Sequence, residues 1–135
     1  TEIAGPWAAL PRIYDDARAA LKAVPGVWVA SAHQSHAYTS GACLYFTWAG
    51  QPVEGQTPDD LYRAAWDAVT AATLRHGGAL SHHHGIGLNR GRFMPEALGP
   101  AFDVLVSLKA ALDPAGILNP GKLGLPTPFG AVAWP

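Results

Sequence analysis

Ala42-Cys43-Leu44-Tyr45-Phe46-Thr47-Trp48-Ala49 reads as a β-strand, and its alternation decides the fold. Aromatic and other strand-favouring residues dominate it. Successive side chains in a strand point to opposite faces. One face therefore carries Ala42, Leu44, Phe46 and Trp48 and belongs to a core; the other carries Cys43, Tyr45 and Thr47. Tyr45 stands on the more polar face. Cys43 is the single cysteine, so the chain has no internal disulfide and no paired-cysteine metal knuckle. In this apolar strand its thiol is read as packing rather than as a nucleophile.

Working outward, Val27-Trp28-Val29-Ala30 is a second strand, able to pair with the first as a long hairpin. Between them, 31–40 is polar, holds His33, His36 and Tyr38, and reads as a loop or a twisted strand end. His33 and His36 are assigned a structural or surface role. Residues 6–24 read as a helix, with Trp7, Leu10, Tyr14, Ala17, Leu21 and Val24 at helical spacing and Pro25-Gly26 as its stop. Pro11 is expected near its first turn. Thr57-Pro58-Asp59-Asp60 starts another helix, with Thr at the N-cap, Pro next and acids in the first turn. That helix is expected to reach about His76 and to stop at Gly77-Gly78. A third strand is expected around 78–81. Pro95-Glu96 opens a last long helix, with Leu98, Phe102, Leu105, Leu108 and Leu112 as its stripe and Asp113-Pro114 as its end. An extended tail rich in Pro and Gly follows, ending in Trp134-Pro135. No strand–helix–strand alternation with Gly-rich turns is present, so the expected class is α+β: a small antiparallel sheet flanked by helices.

The chemistry gathers in Leu80-Ser81-His82-His83-His84-Gly85-Ile86-Gly87, which holds half of the six histidines. Imidazoles donate, accept, ligate or carry a proton near neutral pH. If this run is extended, His82 and His84 face one way and His83 the other. Arg90, just beyond, can clamp a carboxylate or phosphate. Tyr45 can act as an acid or base if nearby cations or donors lower its pKa.

With 135 residues the chain fits one domain, 1–135. Only 14% of residues are charged, and five are Trp. That composition fits a surface covered by something else, since Trp is favoured at interfaces. Net charge is −1 with no basic stripe, so nucleic acid is not an expected partner. No apolar run is long enough for a transmembrane segment, and the lone Cys favours a cytoplasmic setting. The opening Thr1-Glu2-Ile3-Ala4, without Met, is read as that of a fragment or a processed product. Neither GxGxxG nor a P-loop nor GxSxG occurs, so the chain on its own is not expected to bind FAD. No bound metal is expected either, because no thiolate or carboxylate is evident beside the histidines.

Three stretches together resemble the C-terminal part of an FAD-linked oxidase of the vanillyl-alcohol oxidase superfamily: 36–46, His-Ala-Tyr-Thr-Ser-Gly-Ala-Cys-Leu-Tyr-Phe; 81–87, Ser-His-His-His-Gly-Ile-Gly; and 112–122, Leu-Asp-Pro-Ala-Gly-Ile-Leu-Asn-Pro-Gly-Lys. The triple His is similar to that of the alkyldihydroxyacetonephosphate synthase-like branch. The resemblance covers nearly all of residues 28–124. It implies a ferredoxin-like cap portion whose sheet covers the flavin ring, with FAD bound mainly by a separate N-terminal domain. The implied partners are that FAD-binding domain, a small-molecule substrate, and a second copy in a homodimer of the full-length enzyme.

Carried over by position, the resemblance implies that Tyr45 and His83 are catalytic, that His82, His84 and Asn119 line the cofactor, and that Arg90 binds substrate. Two departures matter. Glycolate- and lactate-oxidising relatives have Gly-Glu-His-Gly where this chain has His82-His83-His84-Gly85, and some bind metal through that Glu and upstream histidines; here His83 stands in its place. The Asn119-Pro120-Gly121-Lys122 ending, however, is typical of those same relatives. The substrate is thus left open between an alkyl-glycerone phosphate, a 2-hydroxy acid, or neither. A reading from another class is a non-catalytic, His-rich metal-binding or interaction module.

Overall fold

The computed structural model describes residues 1–130. It divides into two compact units, Thr1–His83 and a second beginning at His84.

The first unit is built on a three-stranded antiparallel sheet of order β1-β3-β2, with β1 Glu2–Pro6, β2 Val27–Ala37 and β3 Gly41–Gly50. The decisive strand is central, and its alternation holds. Ala42, Leu44 and Phe46 join one core cluster with Ala30 and with the helices α1 (Leu10–Ala23) and α2 (Pro58–Arg75). From α1 come Leu10, Ile13, Ala17 and Leu21, and from α2 Ala65, Val69 and Ala72. The helices thus cover one sheet face, and the other is left for the Tyr45 side. The α+β class follows from this arrangement.

Local chemistry sets the helix ends. At Thr57 a capping box forms, with Thr57 Oγ1 accepting from the Asp60 N–H and the Asp60 carboxylate accepting from the Thr57 N–H. At the other end Gly77 sits at φ 70°, its N–H donating to Leu74 and the Gly78 N–H to Thr73. That pair of bonds is a Schellman closure, which needs a left-handed residue at Gly77.

Three expectations are corrected here. The first helix begins at Leu10, four residues later than read, because Pro6 to Ala9 form a turn in which Ala9 N–H donates to the Pro6 carbonyl at 2.8 Å. The residues before it form β1, to which no strand was assigned; it is only five residues long and ends in Gly5-Pro6. The strand expected at 78–81 is reduced to one bridge, Ala79 to Ala4, on the edge of β1. Finally, of the two readings open for 31–40, the strand end holds and the loop is corrected as far as Ala37, where β2 ends.

The second unit holds short 3-10 turns at Gly91–Phe93 and Lys122–Gly124 and the helices α3 (Met94–Leu98) and α4 (Ala101–Leu112). The single long helix expected from Pro95 is broken at Gly99-Pro100. Gly99 adopts φ 53°, ψ −135°, which only Gly tolerates well, and Pro100 has no N–H to continue the ladder. The stripe of α4 is present, but Val104, Leu108 and Leu112 are exposed and none of its residues is buried. Asp113 ends α4 and organises the next turn. Its carboxylate takes Lys109 Nζ at 2.5 Å and the N–H groups of Ile117 (3.1 Å) and Leu118 (2.9 Å). Residues 125–130 have no regular structure, and the tail expected beyond them, with Trp134, lies outside the described residues. Among the described residues, no helix is long and apolar enough to cross a membrane.

The hydrogen bond from Lys109 holds the Asp113 carboxyl below its ordinary 3.8, helped by the Leu118 and Ile117 N–H groups and opposed by desolvation. A depressed carboxyl pKa contributes stability above the unfolded-state value and loses it as pH falls through the folded value. Amide-exchange protection at Ile117 and Leu118 is therefore expected to drop on acidification below about 3.8. In Asp113→Asn it should already be low at neutral pH and should show no such step. An unchanged step in the variant would contradict this assignment.

Candidate active site

The open face of the sheet carries the candidate site. Residues opposite one another in an antiparallel pair share a face. The register sets Glu2 opposite Tyr45 and Tyr45 opposite His33, giving the row Glu2, Tyr45, His33 across all three strands. The next row is Ala4, Cys43, Ser35.

His36 joins this face through a bulge. Residues three apart in a regular strand point to opposite sides. A register shift between Ser35 and Ala37, with His36 at φ 49°, inserts one extra residue there. His33 and His36 consequently share a face. The Tyr45 ring stacks on His33 at 5.1 Å and lies 6.5 Å from His36. Both histidines lie at the surface, as expected, and in addition their rings join the Tyr45 cluster.

The histidine run meets this cluster after the Schellman turn and the Ala79–Ala4 bridge. It is not extended: residues 82–84 form a bend. The expectation that His82 and His83 face opposite ways therefore fails. Their rings touch edge-on at 3.8 Å, and both approach His36, at 4.9 and 5.1 Å. His82 also lies edge-on to Tyr45 at 5.8 Å. Four imidazoles and one phenol form a single contiguous cluster. His33, His36 and His83 are exposed, Tyr45 is half-buried, and the His82 side chain is 2% exposed.

Glu2 was not anticipated. It is 4% exposed, and its carboxylate accepts from Ser81 Oγ (2.6 Å), the His82 N–H (3.2 Å) and His82 Nδ1 (2.9 Å). The signal lay in Glu2 preceding Ile3 in a strand that the reading missed. Cys43, fully buried, donates to the Ser35 carbonyl at 2.6 Å and lies 3.7 Å from His36 Nδ1. The premise that no thiol or carboxylate lies beside the histidines is therefore wrong. One ligating atom each from His36, Cys43 and His82 lie within 4.8 Å of one another.

Electrostatics favours the protonated phenol and thiol here. Burial, then the nearby Cys43, Glu2 and Tyr38, pushes the Tyr45 phenol above its ordinary value. Burial also pushes the Cys43 thiol up, with Glu2 adding to the effect against the hydrogen bond to Ser35. At neutral pH Tyr45 is therefore present as the protonated phenol. The lowered pKa that was the condition for an acid or base role is not what this environment gives.

Of the other expected residues, His84, Arg90 and Asn119 fall in the second unit. His84 is exposed. Arg90 is half-buried, and its Nη1 donates to the Gly85 carbonyl at 3.2 Å, closing the glycine-flanked end of the run. Asn119 is exposed at φ 47°, a conformation Asn tolerates better than most residues.

The family described as FAD linked oxidases, C-terminal domain, matches residues 1–123. An alkyldihydroxyacetonephosphate synthase of Dictyostelium discoideum is 41% identical over 101 residues, 74% of this chain and 16% of that protein. The protein of the same name from Trypanosoma brucei brucei is 38% identical over 105 residues, 75% of this chain and 16% of its own length. A D-2-hydroxyglutarate dehydrogenase of Pseudomonas putida is 48% identical over 66 residues, 49% of this chain and 6% of that one. The chain thus spans about a sixth of the length of the two synthases. The cofactor of the family is FAD. With a family match over 1–123, the chain belongs to the FAD-linked oxidases as their C-terminal domain.

Proposed function

We propose that residues 1–135 are the C-terminal cap and substrate segment of an FAD-dependent enzyme, alkylglycerone-phosphate synthase-like or an oxidoreductase, whose open sheet face covers the flavin ring. The observation that carries this is the row Glu2, Tyr45, His33 with His36, His82 and His83 gathered on it, opposite the helix-covered face. Such a face fits the ring end of the cofactor: it offers flat partners and N–H and O–H groups and is open where His33 and His83 are exposed. The phosphate end belongs to a separate FAD-binding domain, since this chain has no Gly-rich phosphate loop.

In this reading Tyr45 is the acid and His83 its proton-accepting counterpart. His82, His84 and Asn119 hold the cofactor, and Arg90 takes the substrate's anionic group as a charge-assisted donor. FAD, when bound, supplies the electron-pair chemistry; Tyr45 and His83 move protons and exclude water beside it. In this reading the cluster works without a resident metal, and the elemental analysis below tests that directly, although His36, Cys43 and His82 bring three ligating atoms within 4.8 Å of one another. A homodimer of the full-length protein and a cytoplasmic setting belong to the same reading.

The test is the full-length protein purified without added cofactor. A flavin absorbance spectrum near one equivalent, with well under one equivalent of zinc by elemental analysis, supports the reading. Zinc at one equivalent without flavin would replace it by the metal-binding module. The likeness to the P. putida dehydrogenase favours a second reading, a 2-hydroxy-acid dehydrogenase cap. Anaerobic bleaching of the flavin by a 2-hydroxy acid would select it.

A further inference from the structure

Building on the reading of the open sheet face as the reactive one, we propose that Glu2 is a positioning residue that holds His82 with its proton on Nδ1 and ties the histidine run to β1. Three donors converge on its carboxylate. Ser81 Oγ reaches Oε1 at 2.6 Å, while the His82 N–H and Nδ1 reach Oε2 at 3.2 and 2.9 Å. A carboxylate is acceptor-only, so Nδ1 must be the donor. The pair is thoroughly buried, with side chains 2% and 4% exposed. Burial makes the other tautomer expensive, because it would aim an unpaired Nδ1 lone pair at a carboxylate oxygen 2.9 Å away.

Fixing Nδ1–H has a chemical consequence. In the neutral ring the only accepting lone pair is then on Nε2. The ring so held is the one that packs edge-on against His83, His36 and Tyr45. Its orientation and tautomer therefore help decide what the two proposed acid–base groups meet. The same backbone clamp fixes where the chain enters the bend that aims His83. A carboxylate that orients an imidazole in hydrolytic triads acts in this way: without it the geometry survives and the tautomer is wrong.

The experiment uses the full-length holoprotein labelled with ¹⁵N-histidine and long-range ¹H–¹⁵N correlation, with His82 assigned by its disappearance in His82→Gln. In the unmodified protein the His82 Nδ1 resonance should be that of a protonated nitrogen; a bare Nδ1 overturns the proposal. Glu2→Leu removes every acceptor and should convert His82 to the Nε2–H form or a mixture. Glu2→Gln keeps one accepting oxygen and should restore Nδ1–H. A Glu2 that is only a structural strut would lower the melting temperature in Glu2→Leu and leave the tautomer alone, and that result overturns the proposal. If Glu2→Leu does not fold, the unmodified protein decides by itself. The tautomer is read without turnover. Should the open face prove not to be the reactive one, the resonance still judges Glu2 separately.

Discussion

Tyr45→Phe in the full-length protein is expected to lower turnover by roughly 10²–10⁴-fold, the usual worth of a positioned acid or base. The melting temperature should hardly move, because one hydroxyl is lost and almost no volume. The expectation rests on where the ring stands. Tyr45 points away from the cluster that contains Leu44 and Phe46, and stacks instead on His33. Its phenol is pushed up, first by burial, so the proton it would deliver is present at neutral pH. His83→Ala should cost a similar factor, since the bend brings His83 beside His36 and His82. Near-normal turnover of Tyr45→Phe would remove Tyr45 from the chemistry. A large loss of melting temperature would make it a packing residue.

Ile13→Ala is expected to destabilise the protein by about 2–5 kcal/mol, the range for truncating a large aliphatic side chain in a closed core. Ile13 is fully buried where α1 meets the sheet. The space beside it is already tight: a methyl group added at Gly5 would lie 2.9 Å from Ile13 Cδ1, and one at Gly78 would lie 3.0 Å from it. With β1 on one side and the Schellman turn on the other, the neighbours have little room to collapse into the cavity. Urea unfolding followed by tryptophan fluorescence measures the effect. A loss below about 1 kcal/mol would mean that the site relaxes freely, and the packing described here would be wrong.

What could be read in the sequence depended on how local the cause was. The central strand declared itself by alternation, and both faces came out as read. The α2 ends declared themselves too, because a capping box and a Gly-Gly stop are chemistry between near neighbours. β1 did not, since five residues ending in Gly5-Pro6 carry too little pattern and are strand only because β3 pairs with them. Losing β1 meant losing Glu2, whose partners Ser81 and His82 lie about eighty residues away. The His36 bulge was equally hidden. Nothing in Ser35-His36-Ala37 announces that an extra residue will put His33 and His36 on one face. The histidine run was located correctly but given the wrong geometry, because a bend rather than a strand aims His82 and His83 together.

The most direct test of the central claim, that the open sheet face is the one turned to the flavin, is an experimental structure of the full-length protein with FAD bound. The account predicts the isoalloxazine ring, or a substrate analogue lying on it, in contact with Tyr45 and His83. A ring packed against α1 and α2, or out of reach of both residues, would contradict it.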